Sequence, residues 1–328
     1  MILELKDFMP YRAAIIDVGT NTFHILIFEW EGQKYKMLDK LQIPVKLGKG
    51  AFGEHLIKED AYSRGISAII EFKSLLDRYE VSNVEIYGTS VLRNALNAAT
   101  FISEAESIIG HTIKVISGIE EADLIYLGVK SAVPLGNEPH LIMDIGGGSV
   151  EFIIADDKRI FWRKSYEIGA ARLIEKYSYH DPMDKKSIHA LEDFLENELH
   201  EVWAKAIKYH IRTLVGASGS FESVSGMEMD IYLSNIQSDH FVHHIIDLHH
   251  FEEIYHKIIT STQEELKYVP GLPEFRIEMI TVALIMIRYI KHRLNLEKMI
   301  ASDYALKEGV MFRLIKESAI VKPDKLVG

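Results

Sequence analysis

The chain has 328 residues, 48% of them hydrophobic and 26% charged, with a mean hydropathy of +0.02. That is enough apolar mass for roughly two packed domains of ordinary soluble character. The absence of cysteine excludes disulfides, a thiolate nucleophile and a zinc–thiolate site. The formal net charge of −11 argues against a general nucleic-acid coat, which needs clustered Lys and Arg. A polyanionic ligand stays admissible, because screening confines the field of a local basic groove to about 8–10 Å.

In chain order, the N-terminal MILELKDFMPYR carries acids where a signal peptide needs a basic flank and an apolar core. Hydrophobic periodicity then predicts a first lobe opening with strands at 13–17, 22–29 and 34–46. A helix at 59–79 follows, with Ile66, Ile69, Ile70 and Leu76 on helical spacing. Next come a strand at 84–89, a helix at 90–109, a short strand at 113–116 and a helix at 119–130. Two prolines, a glycine and an asparagine within 132–140 read as the link between lobes. The second lobe opens with strands at 141–145, 150–155 and 159–167, then helices at 170–177 and 185–208 and a strand at 213–215. Residues 216–220 open a short helix, and a strand at 242–248 leads into a helix ending near Leu266. A long helix from Pro273 to about Leu294, a strand at 299–301 and a final helix at 304–316 complete the chain. Three-strand meanders followed by alternating strands and helices predict an α/β class with mixed sheets. The longest apolar run, around 279–287, is too short to span a bilayer. The expectation is a cytoplasmic protein with neither membrane nor nucleic acid as partner.

The most informative pattern is an internal repeat. Residues 14–27 read AIIDVGTNTFHILI and residues 141–154 read LIMDIGGGSVEFII. Superposed, Asp17 meets Asp144, Gly19 meets Gly146, Thr22 meets Ser149 and His24 meets Glu151. Each copy predicts a β-hairpin whose tip shows backbone amides, small hydroxyls and a carboxylate. Such a tip suits a phosphate through its amides and a divalent cation through its acid. Two copies in two halves suggest two lobes gripping one phosphorylated ligand.

Further residues carry chemistry by type and place. Asp144 and Glu151 fall on adjacent strands of one predicted hairpin, as magnesium ligands or as a turn cap and a solvated strand residue. Gly146, Gly147, Gly148 and Ser149 let backbone approach an anion. Gly216, Ser218, Gly219 and Ser220 combine a glycine turn with a helix N-terminus. Glu120 and Glu121 open a helix, where acids complement the dipole or where one serves as a base aimed at water. Arg93 and Arg172 open helices, as phosphate clamps or as solvated surface residues. The histidines at 240, 243, 244, 249, 250 and 256 lack ligand spacing with an open coordination position and read as polar surface.

The stretches IIDVGTNTFHILI, YGTSVLRNALNAATF, VISGIEEADLIYLGV, IMDIGGGSVEFII, EIGAARLIEKY, VGASGSFESVS and, more loosely, SDYALKEGV together resemble the exopolyphosphatase / guanosine pentaphosphate phosphohydrolase (Ppx/GppA) family. The resemblance implies two ribonuclease H-like lobes of the actin–sugar kinase–Hsp70 superfamily, with mixed sheets and an interlobe cleft. It places lobe I at 1–131, lobe II at 132–303, and a C-terminal helix, 304–328, packed back on lobe I. It implies release of terminal phosphate from inorganic polyphosphate or guanosine pentaphosphate, dependent on Mg²⁺ or another divalent cation, by a homodimer. Carried over by motif, Glu121 is the base that activates water, and Asp144 and Glu151 are the metal-binding acids. Asp17, Thr20 and Asn21 form the first phosphate loop, Gly146 to Ser149 the second, and Arg93 a clamp. Asp123 stands where the family commonly has a basic residue, Thr20 and Thr22 replace serines, and Ala305 and Lys307 replace a Gly and an Arg. The chain also stops where longer members add a helical HD-type domain, which places it with short members. With the net charge and Asp123, that predicts a preference for short polyphosphates. Two rivals remain from the sequence: an ATP-dependent kinase or ATPase of the same superfamily, and a non-catalytic sensor of polyphosphate or guanosine alarmones.

Overall fold

A computed structural model of the chain describes residues 10–32, 34–177, 180–233 and 242–320. The N-terminal segment up to residue 9, His240 and the stretch expected to extend the last helix to 328 lie outside the described residues. The chain divides into two compact units. The described residues up to Ser117 and from Lys307 onward form one, and Gly118–Leu306 form the other.

The first unit is built on a five-stranded sheet ordered β3-β2-β1-β4-β5. Its strands are β1 (Tyr11–Val18), β2 (Phe23–Glu31), β3 (Lys34–Ile43), β4 (Asn83–Gly88) and β5 (Ile113–Val115). β1, β2 and β3 run antiparallel as a meander, while β4 pairs parallel to β1 and β5 parallel to β4. Side chains alternate across the sheet. Ala14, Ile16, Val18, Phe23, Ile25 and Ile27 pack one face against α1 (Glu59–Arg78) and α3 (Ala98–Ile109). The other face meets α12 (Leu306–Ile320): Trp30 Nε1 donates to Ser318 Oγ at 2.8 Å, and Arg313 binds Glu85 and Tyr87. Burying each such Leu, Ile or Phe stabilises by about 1.5–3 kcal/mol.

The helix expected at 90–109 is two helices, α2 (Ser90–Asn94) and α3. At the break, the Asn97 side chain accepts from the Ile57 amide and donates to the Ile57 carbonyl, both at 2.9 Å. Those bonds tie the chain to a distant loop at a point where helix would otherwise continue.

The second unit repeats the plan with a six-stranded sheet ordered β10-β11-β9-β6-β7-β8. Its strands are β6 (His140–Ile145), β7 (Val150–Ala155), β8 (Ile160–Tyr166), β9 (Thr213–Ala217), β10 (His243–Ile246) and β11 (Lys298–Ser302). The meander β6-β7-β8 is antiparallel; β9 runs parallel to β6 and β11 parallel to β9. Its helices are α4 (Gly118–Ala132), α5 (Ala170–Lys176), α6 (Lys185–Glu198), α7 (His200–Lys208), α8 (Ser218–Tyr232), α9 (Leu248–Thr260), α10 (Gln263–Leu266) and α11 (Ile277–Arg293). α11 is apolar nearly all round because it runs through the core. The helix expected at 185–208 breaks at Leu199, which is wholly buried at the bend. The short helix expected after Gly216 runs on to Tyr232, and α4 groups with the second unit, ahead of the boundary expected at 131.

Candidate active site

The two halves of the sequence repeat fold alike. In β1–β2, Asp17 stands directly across from His24; in β6–β7, Asp144 stands across from Glu151. Both tips are held from behind by their carbonyls. In the first unit, the Thr20 and Asn21 carbonyls accept from the amides of Gly48 (2.8 Å) and Lys46 (2.7 Å). The Thr20 hydroxyl accepts from the Val91 amide at 3.3 Å, and Thr20 and Asn21 are buried. Arg93, on α2, spends Nη1 on the Ile116 carbonyl at 3.0 Å. Asp17 is half-buried.

In the second unit, the carbonyls of Gly146, Gly147 and Gly148 accept from the amides of Ala170, Arg172 and Gly169 at 3.0–3.1 Å. The Arg172 Nε also donates to the Gly148 carbonyl at 2.9 Å, and its guanidinium pairs with Glu167. Arg172 is therefore a brace of the glycine loop. A rigid loop keeps its shape for a ligand without ordering it at the moment of binding.

Three acids gather at this end of the second unit. Glu121 lies in the first turn of α4, buried, whereas its neighbour Glu120 is exposed. Asp144 ends β6 with 6% of its surface exposed, and Glu151 on β7 has 1%. Glu151 is held well above the usual carboxylate range, first by burial and then by the charges of Glu121 and Asp144. Hydroxyls of Ser165, whose Oγ is 2.7 Å from Oε1, and of Ser149 donate to it and pull the other way. Clustered, desolvated carboxylates of this kind call for a proton or a cation. No group of three or more His, Asp or Glu side chains among the described residues is arranged to enclose a metal by itself. A magnesium-type ion keeps several waters and needs only one or two carboxylates plus phosphate oxygens. Asp144 and Glu151 could hold such an ion.

The loop after β9 completes the arrangement. Asp144 pairs with Ala217 across β6 and β9, which brings Ser218 alongside. The Ser218 hydroxyl donates to Asp144 Oδ2 at 2.7 Å, and its backbone sits at φ +64°, a left-handed conformation rare outside glycine. Strain of this sort persists where surrounding structure over-determines it, as at binding sites. Gly219 and Ser220 follow in the first turn of α8, with Ser220 buried. Gly216 lies inside β9, where a side chain would collide with the Phe221 ring, so packing accounts for this glycine.

One residue escaped the sequence reading. Arg276, which closes a 3-10 turn (Glu274–Arg276) ahead of α11, lays its guanidinium where a side chain on Gly219 would be. Burial lowers its proton affinity, while Glu222 and Asp144 act to raise it. A cation is thus supplied to the Gly219 loop from far along the chain. The signal available was a lone Arg at the start of the longest apolar run.

The model of the Ppx/GppA phosphatase family matches residues 26–318. The chain belongs to that family. It is 28% identical over 315 residues to a guanosine-5′-triphosphate,3′-diphosphate pyrophosphatase of Photobacterium profundum, covering 96% of this chain and 61% of that protein. The chain thus spans less than two thirds of that relative's length. Among solved structures, an exopolyphosphatase from Cytophaga hutchinsonii matches with a TM-score of 0.91 and 32% identity, over 94% of this chain and 98% of that one. An Aquifex aeolicus family member shares the fold, with a TM-score of 0.77 and 23% identity over 96% and 100%.

The positions expected to depart from the family pattern have local partners. Asp123 forms an ion pair with Arg163 of β8, whose Nη2 donates to it at 3.0 Å. The Ala305 backbone packs against Gly128, where any side chain would strike its carbonyl. Lys307 Nζ lies 3.4 Å from Glu308, both buried. Of the histidines expected on a polar surface, His249 and His256 are exposed, but His244 Nε2 and His250 Nδ1 meet the buried Glu228 carboxylate at 2.7 and 2.9 Å, and His250 stacks on Tyr232. No helix among the described residues is long and apolar enough to cross a membrane.

Proposed function

We propose that the chain is a phosphohydrolase releasing the terminal phosphate of inorganic polyphosphate or guanosine pentaphosphate. The observation that carries this reading is the meeting of Glu121, Asp144 and Glu151 beside two backbone loops. Glu121 accepts a proton from water as its oxygen bonds to the terminal phosphorus, and the anhydride oxygen leaves with the rest of the chain. Mg²⁺ or another divalent cation, held by Asp144 and Glu151, would offset charge on the phosphate oxygens. Gly147, Gly148, Ser149, Ser218, Gly219 and Ser220 offer backbone amides to the anion, with Arg276 as an added cation, while Gly146 closes the hairpin by donating to the Ser149 carbonyl. In the first unit, Asp17, Thr20, Asn21 and Arg93 contribute to phosphate binding. The names of the Photobacterium and Cytophaga relatives support this substrate class. The same reading has the protein act in the cytoplasm, as a homodimer.

Short polyphosphates are the favoured substrates, because the net charge of −11 leaves little positive surface beyond the loops. Asp123 no longer counts toward that preference, since Arg163 offsets it. Phosphate release measured across polyphosphates of several lengths, guanosine pentaphosphate and ATP, with and without Mg²⁺, tests the reading. Release from polyphosphate or guanosine pentaphosphate only with the cation is expected, with shortening intermediates on a gel. Tight binding without release would replace it by a sensor, and preference for ATP by a kinase or ATPase.

A further inference from the structure

Three side-chain contacts from α4 lie along one stripe. Asp123, Tyr126 and Lys130 recur at helical spacing, and each bonds the β7–β8 hairpin. Tyr126 Oη donates to the Asp156 carbonyl at 2.9 Å, and Lys130 Nζ to the Asp157 carbonyl at 3.0 Å. Asp123 meets Arg163 as an ion pair, with Nη2 donating to Oδ2 at 3.0 Å and Nε 2.7 Å from Oδ1 but not aligned to bond it. One directed hydrogen bond between opposite charges holds the two side chains together, and the pair leaves the α4 backbone and β8 at a set distance. It is the member of the stripe nearest Glu121, two residues further along the helix. On the same face of β8, Ser165 packs against Gly118, where any side chain would collide with it, and donates to Glu151. β8 therefore touches both the helix that carries Glu121 and Glu151 itself.

We propose that the Arg163–Asp123 pair is a positioning device for Glu121. It clamps the first turns of α4 onto β8 and so sets the Glu121 carboxylate relative to Asp144 and Glu151. Neither member touches reacting atoms; both act through the helix. The inference rests on the reading of Glu121 as the base. It also reassigns Asp123, whose charge serves the fold of the site and not the field felt by substrate. A displacement of a base by even part of an ångström is enough to slow a proton transfer that depends on alignment.

The test pairs kinetics with amide hydrogen exchange on Asp123→Asn, Arg163→Gln and the charge-swapped double variant Asp123→Arg/Arg163→Asp. The side chains are 34% and 41% exposed, so solvent screening limits the effect to roughly three- to tenfold in kcat. Each single variant is expected to lose that much kcat with KM within about twofold of the parent. Exchange at residues 118–125 is expected to quicken in the singles, and the swap to restore both readouts. A fall in KM for polyphosphate at unchanged kcat would show Asp123 acting on the substrate and overturn the proposal. Parent-like exchange and kcat, or faster exchange at parent-like kcat, would overturn it equally. If the parent releases no phosphate, the functional reading falls by itself, and unchanged exchange in both singles would still reject the clamp.

Discussion

Glu151 has 1% of its surface exposed, and the charges of Glu121 and Asp144 add to the effect of burial in raising its proton affinity. A carboxylate raised in this way contributes stability that is fully present below its unfolded pKa and is lost as pH rises through the folded value. Above the usual carboxylate range the metal-free fold therefore carries the cost of this buried acid, which a cation would relieve. Glu151→Gln is expected to make the metal-free protein more stable at pH 7 by about 1–2 kcal/mol, roughly 2–8 °C in Tm. It should also abolish the Tm rise given by Mg²⁺. A lower Tm with an unchanged Mg²⁺ response would show that the three acids do not strain one another. Asp144→Asn keeps the shape of the side chain and the bond from Ser218, so its expected mark is a higher Mg²⁺ requirement for phosphate release. Parent-like titration with Mg²⁺ would place the cation elsewhere. At this scale the sequence spoke through spacing. The repeat paired Asp144 with Glu151 correctly because a strand's period is 2 and a hairpin brings its arms into register. Which of Glu120 and Glu121 turns inward depends on how α4 sits on β8, and Arg276 reaches Gly219 from a distant segment. Neither follows from local pattern.

At the scale of elements, α9 and α11 are joined by one carboxylate. Glu252 accepts from Arg288 Nε at 2.7 Å, Lys291 Nζ at 2.6 Å and His292 Nε2 at 3.0 Å, three residues on two neighbouring turns of α11. Burial would raise its pKa, but the hydrogen bonds and charges of Arg288 and Lys291 outweigh that and bring it down to about 2. A depressed carboxylate contributes stability above its ordinary pKa and loses it as pH falls through the folded one. Glu252→Gln is expected to cost about 1–2 kcal/mol at pH 7, discounted for partial exposure. It should also flatten the fall in Tm between about pH 4.5 and 2. An acid limb as steep as the parent's would show that the cluster does not couple the helices. The strands and the long apolar α11 were legible from periodicity, because burial on one or both faces writes itself into the sequence. The breaks at Asn97 and Leu199 were not, since they arise from a bond to Ile57 and from burial at a bend.

For the molecule as a whole, the repeat is the organising fact: two meanders, each followed by parallel strands, with an acid at the end of the first strand of each. The residues at 132–140 read as a link between lobes because Pro, Gly and Asn favour turns. They form a turn between α4 and β6 inside the second unit, while the division falls at Ser117 and Gly118. Composition marks a bend in the chain; which core a helix joins is decided by its contacts, here those of α4 with β7 and β8. That placement puts Glu121 in one unit with Asp144 and Glu151, where the proposed chemistry needs it. The most direct measurement is single-turnover phosphate release by Glu121→Gln at saturating polyphosphate and Mg²⁺, beside its binding of the same substrate. Parent-like binding with release slowed roughly 10²–10⁴-fold is expected, the usual scale for a positioned base. Release at the parent's rate from the folded variant would contradict the assignment of Glu121 and the site built around it.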